Sequence, residues 1–137
     1  LLQRDGNLVA ADGTSDLTLK IGKGQYYLAL NHRNHLGMMS AGPISMGYTA
    51  TTPIDASLLT FTTYGINATK TMSGKQVMWT GDADATGIID SGDRGATWNN
   101  RNDQSYNLSD CSLDGITDSA DRGITWNNRN LIEQLPN

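Results

Sequence analysis

The chain has 137 residues and a formal net charge of −4, with one cysteine and no apolar run of membrane-spanning length. The length allows one domain or two small ones, and the acidic balance argues against nucleic-acid binding, which uses a basic patch or stripe. A single cysteine excludes an internal disulfide. The first residue is a leucine in what reads as mid-domain sequence, so we expect a processed product or a fragment.

The N-terminal part, residues 1–79, reads as short strands and turns. Apolar and polar side chains alternate in several short segments, and glycine and proline separate these segments. Such a pattern predicts an immunoglobulin-like antiparallel β-sandwich. The predicted strands include residues 17–21, 25–32, 44–48 and 58–62.

The length of this part bears on how the sandwich is completed. Immunoglobulin-like sandwiches use about 100 residues for seven strands, so this part allows about six. We therefore expect a strand to come from upstream sequence or from a neighbouring chain. Strand addition from a neighbour would link subunits head to tail and give open filaments.

The two histidines of the chain, His32 and His35, lie three residues apart. A transition-metal site is one interpretation, but this spacing suits neither one strand face nor a complete ligand set. The sequence favours a turn at the end of a strand.

Two acidic loops repeat at a spacing of 28 residues in the C-terminal part, residues 80–137. A calcium loop of the EF-hand kind takes oxygen ligands from positions 1, 3, 5, 7, 9 and 12 and has glycine at position 6. Gly87 and Gly115 stand at position 6. The predicted ligands are Asp82, Asp84, Thr86, the Ile88 carbonyl, Asp90 and Asp93 in loop 1, and Asp110, Ser112, Asp114, the Ile116 carbonyl, Asp118 and Asp121 in loop 2.

Aspartate and glycine also dominate ordinary turns, which is the alternative interpretation of each loop. The duplication argues for metal binding, and we predict two calcium ions. Thr86 offers a hydroxyl where position 5 usually has an acid or amide, so we expect loop 1 to bind calcium less tightly. Without metal, the loop aspartates repel one another, and the acidic part should be unstable.

Each loop is followed by a segment that predicts a short helix. Asp90 and Asp118 can act as N-caps, with an aspartate three residues later in a capping-box spacing. Trp98 and Trp126 each share a helix face with two arginines. We expect the tryptophans to pack between the two halves, with partner binding as the alternative.

A calcium loop followed by one helix, duplicated within a short segment, resembles the dockerin family. The resemblance runs from Gly81 to about Leu135 and includes aspartate at position 12 of each loop. It implies two calcium ions and a cohesin-type partner contacted through positions 10 and 11. The serines at position 10 match the family, whereas the residues at position 11 differ from its usual polar residue. These positions are Ser91-Gly92 and Ser119-Ala120.

The whole chain also resembles the C-terminal part of large surface proteins of Gram-negative gliding bacteria. The similar segments are residues 2–6, 24–39 and the junction at 77–82. This resemblance implies an extracellular or cell-surface location and a structural or adhesive role.

Three functions follow as hypotheses. The leading one is a non-catalytic, calcium-stabilised module of a secreted or cell-surface protein, in adhesion or in extracellular assembly that includes filament formation. The alternative is a dockerin adaptor that docks to a cohesin-type partner in a glycan-degrading complex. A third is a carbohydrate-binding accessory that uses exposed Tyr26, Tyr27 or Tyr48. The sequence has no nucleophile–base pair and no phosphate loop, so we expect no enzyme.

Overall fold

The computed structural model describes residues 7–47 and 53–136. In these ranges the protein consists of small antiparallel sheets and two short helices. Contacts divide the chain into two units, Leu1–Gln25 with Ser45–Thr52 and Tyr26–Ile44 with Pro53–Asn137. The second unit contains both acidic loops and both helices. Within the described ranges, neither helix is long and apolar enough to cross a membrane.

In residues 7–47 and 53–136, six strands pair in three two-stranded sheets, β1 with β4, β2 with β3, and β5 with β6. The strands are β1 (Gly24–Tyr26), β2 (Ala29–His32), β3 (His35–Met39), β4 (Ile44–Met46), β5 (Thr69–Met72) and β6 (Lys75–Met78). The helices are α1 (Ser91–Asn99) and α2 (Ser119–Asn127).

The β2–β3 hairpin is the centre of the second unit. Leu30 pairs with Met38 and His32 pairs with His35, with an irregularity in between. Strand β3 has its three central residues buried. It also bonds to later segments, since the Leu36 N–H donates to the Trp79 carbonyl at 2.8 Å. The hairpin is therefore held against the residues that lead into loop 1.

The β5–β6 hairpin turns through Ser73 and Gly74, which have φ of +52° and +75°. Two consecutive positive φ angles match the twist of a two-residue hairpin, and glycine tolerates this conformation without a Cβ clash. Trp79 follows β6, and its indole N–H donates to the Asn67 carbonyl at 2.8 Å. The end of this hairpin therefore leads directly into loop 1.

Two of the predicted strands are wrong. Residues 17–21 form no strand, because the Ile21 N–H bonds the Leu19 carbonyl in a tight turn at 3.1 Å, and Leu19 is exposed. Residues 58–62 form turns, which begin where the Asp55 carboxylate accepts the Ser57 N–H at 2.9 Å. The predicted strand at 25–32 is divided between β1 and β2.

The mainly β class with a small helical part is confirmed, whereas the sandwich stays a prediction. The described residues form three separate two-stranded sheets. The boundary predicted at residues 79 and 80 also stays a prediction. The strand-addition hypothesis concerned residues 1–9, of which 1–6 lie outside the described residues.

Candidate metal centre

Both helices begin as the aspartate spacing predicted. Asp90 and Asp118 are N-caps, and each forms a reciprocal capping box with the aspartate three residues later. Each N-cap carboxylate accepts a backbone N–H from two residues on at 2.6 Å. The N-cap N–H in turn donates to Asp93 or Asp121 at 2.7 Å. The caps fix the position 12 carboxylates at the helix starts.

Asp82, at position 1 of loop 1, is held by backbone donors. It is 5% exposed, and its carboxylate accepts the Thr86 N–H at 2.9 Å and the Gly87 N–H at 3.0 Å. Gly87 has φ +78°, a conformation that suits glycine. The turn therefore folds back over the carboxylate, as a cation loop requires.

Three carboxylates of loop 1 converge. One oxygen from each of Asp82, Asp84 and Asp93 lies within 4.8 Å of the others. Asp93 is fully buried and also accepts the Asp84 N–H at 3.2 Å. Two buried carboxylates and one exposed one therefore share a small volume that could hold a metal ion.

The electrostatics of this group are unfavourable without a cation. Burial raises the pKa of both Asp82 and Asp93, and the nearby Asp84 charge raises them further. A bound divalent cation would favour the ionised forms and reverse both effects. The donor set, carboxylates with backbone and hydroxyl oxygens, is that of a hard cation.

The other predicted ligands of loop 1 are not part of this group of three carboxylates. The Thr86 hydroxyl donates to the Ile88 carbonyl at 3.3 Å, so the oxygens of positions 5 and 7 are neighbours. Asp90 is exposed and uses one oxygen as the helix cap. Its second oxygen is the one that a cation or a bridging water could engage.

Loop 2 repeats the hydrogen bonds of loop 1 with an offset of 28 residues. Asp110 is fully buried and accepts the Asp114 N–H at 3.1 Å and the Gly115 N–H at 3.2 Å. Asp121 is also fully buried and accepts the Ser112 N–H at 2.8 Å. The carboxylates at positions 1 and 12 therefore accept equivalent backbone hydrogen bonds in both loops.

The two loops differ in their charged groups. Ser112 stands where loop 1 has Asp84, and the Asp114 carboxylate accepts the Ile116 N–H at 2.9 Å. Ile116 is exposed, like Ile88 in loop 1. Across the described ranges, a group of three convergent carboxylates is found in loop 1 alone.

An arginine from the β2–β3 turn adds to this difference. Arg33 Nη2 lies 3.6 Å from Asp110 Oδ2, and the guanidinium stacks over the Tyr106 ring at 4.7 Å. The Nε and Nη2 atoms of Arg33 are buried without a hydrogen-bond partner in the described structure. Loop 2 thus already has a positive charge beside its position 1 aspartate.

The two halves pair by a near two-fold relation. Position 8 of each loop exchanges backbone hydrogen bonds with the segment after the opposite helix. The four bonds are Asn102 N to Thr117 O (2.8 Å), Thr117 N to Asp103 O (2.9 Å), Asn130 N to Ile89 O (2.7 Å) and Ile89 N to Leu131 O (2.9 Å). Each loop is therefore held by backbone hydrogen bonds to the segment that follows the helix of the other half.

Asn34 is a site residue that sequence reasoning missed. It is fully buried, and its carbonyl accepts the N–H groups of Gly81 at 3.0 Å and Asp82 at 3.2 Å. Its side-chain amide donates to the carbonyls of Leu108 at 3.0 Å and Asp110 at 2.7 Å. One residue of the β2–β3 turn therefore holds the start of both loops.

The histidines lie beside this contact, at the two ends of the predicted turn. His32 Nδ1 and His35 Nδ1 are 2.7 Å apart. Burial, with smaller effects from the neighbouring His32 and Arg33, lowers the pKa of His35 to about 4. Burial also lowers the pKa of His32. The turn is confirmed, and the described residues bring no third histidine, cysteine or carboxylate into a metal group with them.

Cys111 lies at position 2 of loop 2. It is a free, buried cysteine, and burial raises the pKa of its thiol to about 12. The thiol therefore stays protonated at neutral pH and is unsuited to nucleophilic or metal chemistry.

Comparison of the chain with protein-family models, with characterised proteins and with solved structures gave no match. Function is therefore argued from the geometry of the loops and helices.

Proposed function

We propose that the chain is a non-catalytic, calcium-stabilised module of a secreted or cell-surface protein that acts in adhesion or extracellular assembly. The observation that carries the proposal is the convergence of Asp82, Asp84 and Asp93 within a loop whose hydrogen bonds recur in a second loop. The dockerin-like spacing and the resemblance to bacterial surface proteins support the secreted or cell-surface location and the adhesive role in this proposal.

Calcium is the ion that this donor set favours. Every donor at the predicted positions is an oxygen, and backbone carbonyls and hydroxyls complement the carboxylates, as in calcium loops. Zinc prefers cysteine and histidine, but Cys111 is a buried protonated thiol and the histidines lie in another element. We assign one ion to each loop, with Ser112 and Asp114 completing the second set.

Calcium would act on stability rather than on chemistry. The four carboxylates at positions 1 and 12 are at most 5% exposed, and in loop 1 two of them converge with a third carboxylate, so the ion-free fold holds like charges close together. The apolar core of this part is small and includes Ile89, Ala83 and Cys111. In such a module the free energy of ion binding becomes free energy of folding.

The test is the thermal unfolding of the whole chain with calcium and with excess chelator. Calcium at 100 times its Kd should stabilise the fold by about 2.7 kcal/mol per site and raise Tm. Asp93→Asn should lose most of the loop 1 share of this gain, while Asp103→Asn, an aspartate outside the loop positions, should retain the whole gain. An identical Tm and helix signal with calcium and with chelator would refute the proposal.

Filamentous assembly through strand addition is the bolder part of this proposal. Small two-stranded sheets leave open edges, and an open edge is a template for another strand. Sedimentation of the chain over a range of concentrations tests it. Growth into a series of species, and its loss when residues 1–9 are deleted, would support strand addition, whereas a monomer at every concentration would contradict it.

The alternative is a dockerin adaptor for a cohesin-type partner. It is supported by the near two-fold relation of the helices and by the exposed position 10 serines, Ser91 and Ser119. Binding to immobilised cohesin domains in calcium, abolished by Ser91→Asp with Ser119→Asp, would favour it. Binding to none of a broad set of cohesins would leave the structural role as the better account.

A further inference from the structure

The two helices share an ordered surface of arginine and tryptophan. Arg122 lies over the Trp98 ring at 5.1 Å and Arg94 lies over the Trp126 ring at 5.0 Å, so each helix sends an arginine to the other's indole. A second arginine, from the segment that follows each helix, stacks on that helix's ring, at 4.5 and 4.2 Å. We call this surface the Trp–Arg face: Arg94, Trp98, Arg101, Arg122, Trp126 and Arg129.

The arginines of the Trp–Arg face have no acidic partner in the described structure. The ion pairs found there are Arg33 with Asp110 and Lys75 with Asp55. Arg101 and Arg129 donate instead to the carbonyls of the tryptophans on which they stack, at 3.0 and 2.8 Å. Four oriented guanidiniums unpaired with carboxylates are notable in a chain of net charge −4.

The same face keeps its aromatic rings accessible. Trp98 is 51% exposed and Trp126 is 49% exposed, so they lie between the helices, as expected, but at the surface rather than in a core. A shallow groove of about 310 Å³ beside Trp98 is lined by Arg101 and Arg122 together with Asp118 and Ser119 of loop 2, among others. Tryptophan and arginine are also enriched at protein interfaces, so an acidic protein segment is the competing occupant that the experiment must distinguish.

The chemistry of the face fits a sugar polymer that carries anionic groups. Guanidinium forks bind sulfate and carboxylate by paired hydrogen bonds, and stacking on an indole fixes their orientation in advance. Half-exposed indoles can pack against the C–H faces of sugar rings. Asn99 and Asn127, the exposed last residues of α1 and α2, add amides that can bond hydroxyl groups.

The two-fold repetition of the face points to a repeating ligand. Each half presents the same tryptophan with two arginines and an asparagine at equivalent positions. A polymer with regularly spaced anionic groups can engage both halves at once, and the linked second contact raises the overall affinity.

We propose that the Trp–Arg face binds an anionic polysaccharide. This inference deepens the proposed function by naming the ligand class of an adhesive module. None of the six residues of the face is a predicted calcium ligand, and the groove beside it borders loop 2 at Asp118 and Ser119. The stacked arginines bind the anionic groups, and the indoles and amides contact the sugar rings and hydroxyls.

The experiment compares dextran sulfate with neutral dextran, using the whole chain in saturating calcium. We expect dextran sulfate to bind and to change tryptophan emission, and dextran to bind at least tenfold more weakly. Arg94→Gln with Arg122→Gln should weaken binding at least tenfold. Lys20→Gln with Lys23→Gln makes the same charge change at exposed lysines outside the face and should alter binding less than twofold.

A third variant distinguishes a built site from attraction by charge alone. Arg94→Lys with Arg122→Lys keeps the charge but loses the planar fork, so binding should weaken several-fold. If the variant with Arg94→Gln and Arg122→Gln binds dextran sulfate as tightly as the variant with Lys20→Gln and Lys23→Gln, the proposal is overturned. Equal or tighter binding of poly-glutamate would also overturn it and would indicate an acidic protein segment as the partner.

Folding and calcium binding are measured on the same samples. Helix content and calcium stoichiometry must match the unmodified chain before a loss of binding is assigned to the face. If the arginine-to-glutamine variant fails this criterion, the arginine-to-lysine variant decides the result. Calcium binding without polysaccharide binding would overturn this inference and leave the proposed function intact.

Discussion

Gly92, at position 11 of loop 1, leaves space for the carboxylate of Asp84 at position 3. A Cβ added at Gly92 would lie 2.7 Å from Asp84 Oδ2, which is too close for a real contact. The absence of a side chain at position 11 thus lets the position 3 carboxylate approach the helix start and join Asp82 and Asp93. Loop 2 has Ala120 at position 11, and there position 3 is Ser112, which lacks a carboxylate.

This relation predicts that Gly92→Ala weakens calcium binding at loop 1 by about tenfold, because it displaces one carboxylate ligand. Ala120→Gly is the matched control and should leave loop 2 within about twofold, apart from a small loss of helix stability. Calorimetric titration of each variant measures both affinities. Unchanged affinity in Gly92→Ala would show that Asp84 is not a ligand.

Replacing Asn34 by alanine should destabilise the chain by about 2–3 kcal/mol, because it leaves the buried carbonyls of Leu108 and Asp110 without their donor. Calcium affinity should fall at both loops, since one residue holds the start of each. Asn99→Ala, at an exposed position, is the control. Urea unfolding and calcium titration give the two readouts, and a loss confined to one loop would contradict the bridging role.

The histidine pair predicts a loss of stability in acid. His35 has a folded pKa of about 4 against an ordinary 6.5, so between these values the unfolded chain binds more protons. The contribution of neutral His35 to the free energy of unfolding is complete above about pH 6.5 and is lost as the pH falls towards 4. The total loss is on the order of 3 kcal/mol. His35→Gln should remove this slope in urea unfolding at fixed calcium. A difference between the two proteins that is independent of pH would contradict the assignment.

Arg33 should oppose calcium at loop 2, because a divalent ion beside Asp110 would be repelled by the nearby guanidinium. With loop 1 disabled by Asp93→Asn, adding Arg33→Gln should raise calcium affinity several-fold. Lys75→Gln, which removes a charge paired with Asp55, should change it little. A fall in affinity would mean that Arg33 supports the loop rather than competing with its ion.

These effects bear on which loop binds calcium first. The hydroxyl of Thr86 at position 5 favours loop 2, as the sequence alone indicates. The convergent carboxylates favour loop 1, and the positive charge of Arg33 beside Asp110 disfavours loop 2. We expect these two effects to outweigh a single ligand. Loop 1 should therefore fill before loop 2.

The sequence predicted features that depend on neighbours close along the chain. Loop turns, N-caps and capping boxes involve residues within about a dozen positions, so their spacing is visible directly. The turn between His32 and His35 was accessible for the same reason. Ser73-Gly74 was a readable hairpin signal that sequence reasoning did not use.

Features that depend on distant residues were not predictable in this way. Alternation at residues 17–21 shows an amphipathic segment, but a strand also needs a neighbour for its hydrogen bonds. Asn34 reaches carbonyls more than 70 positions away, and nothing local distinguishes it from an ordinary turn asparagine. The exposure of Trp98 and Trp126 likewise depends on how the two helices meet.

Calorimetric titration of calcium into the chelator-treated whole chain, with helix content followed by circular dichroism, tests the central claim most directly. The account predicts two ions per chain, bound in two steps, with helix signal and Tm rising as they bind. A stoichiometry below one, or a helix signal that stays the same from excess chelator to saturating calcium, would contradict it.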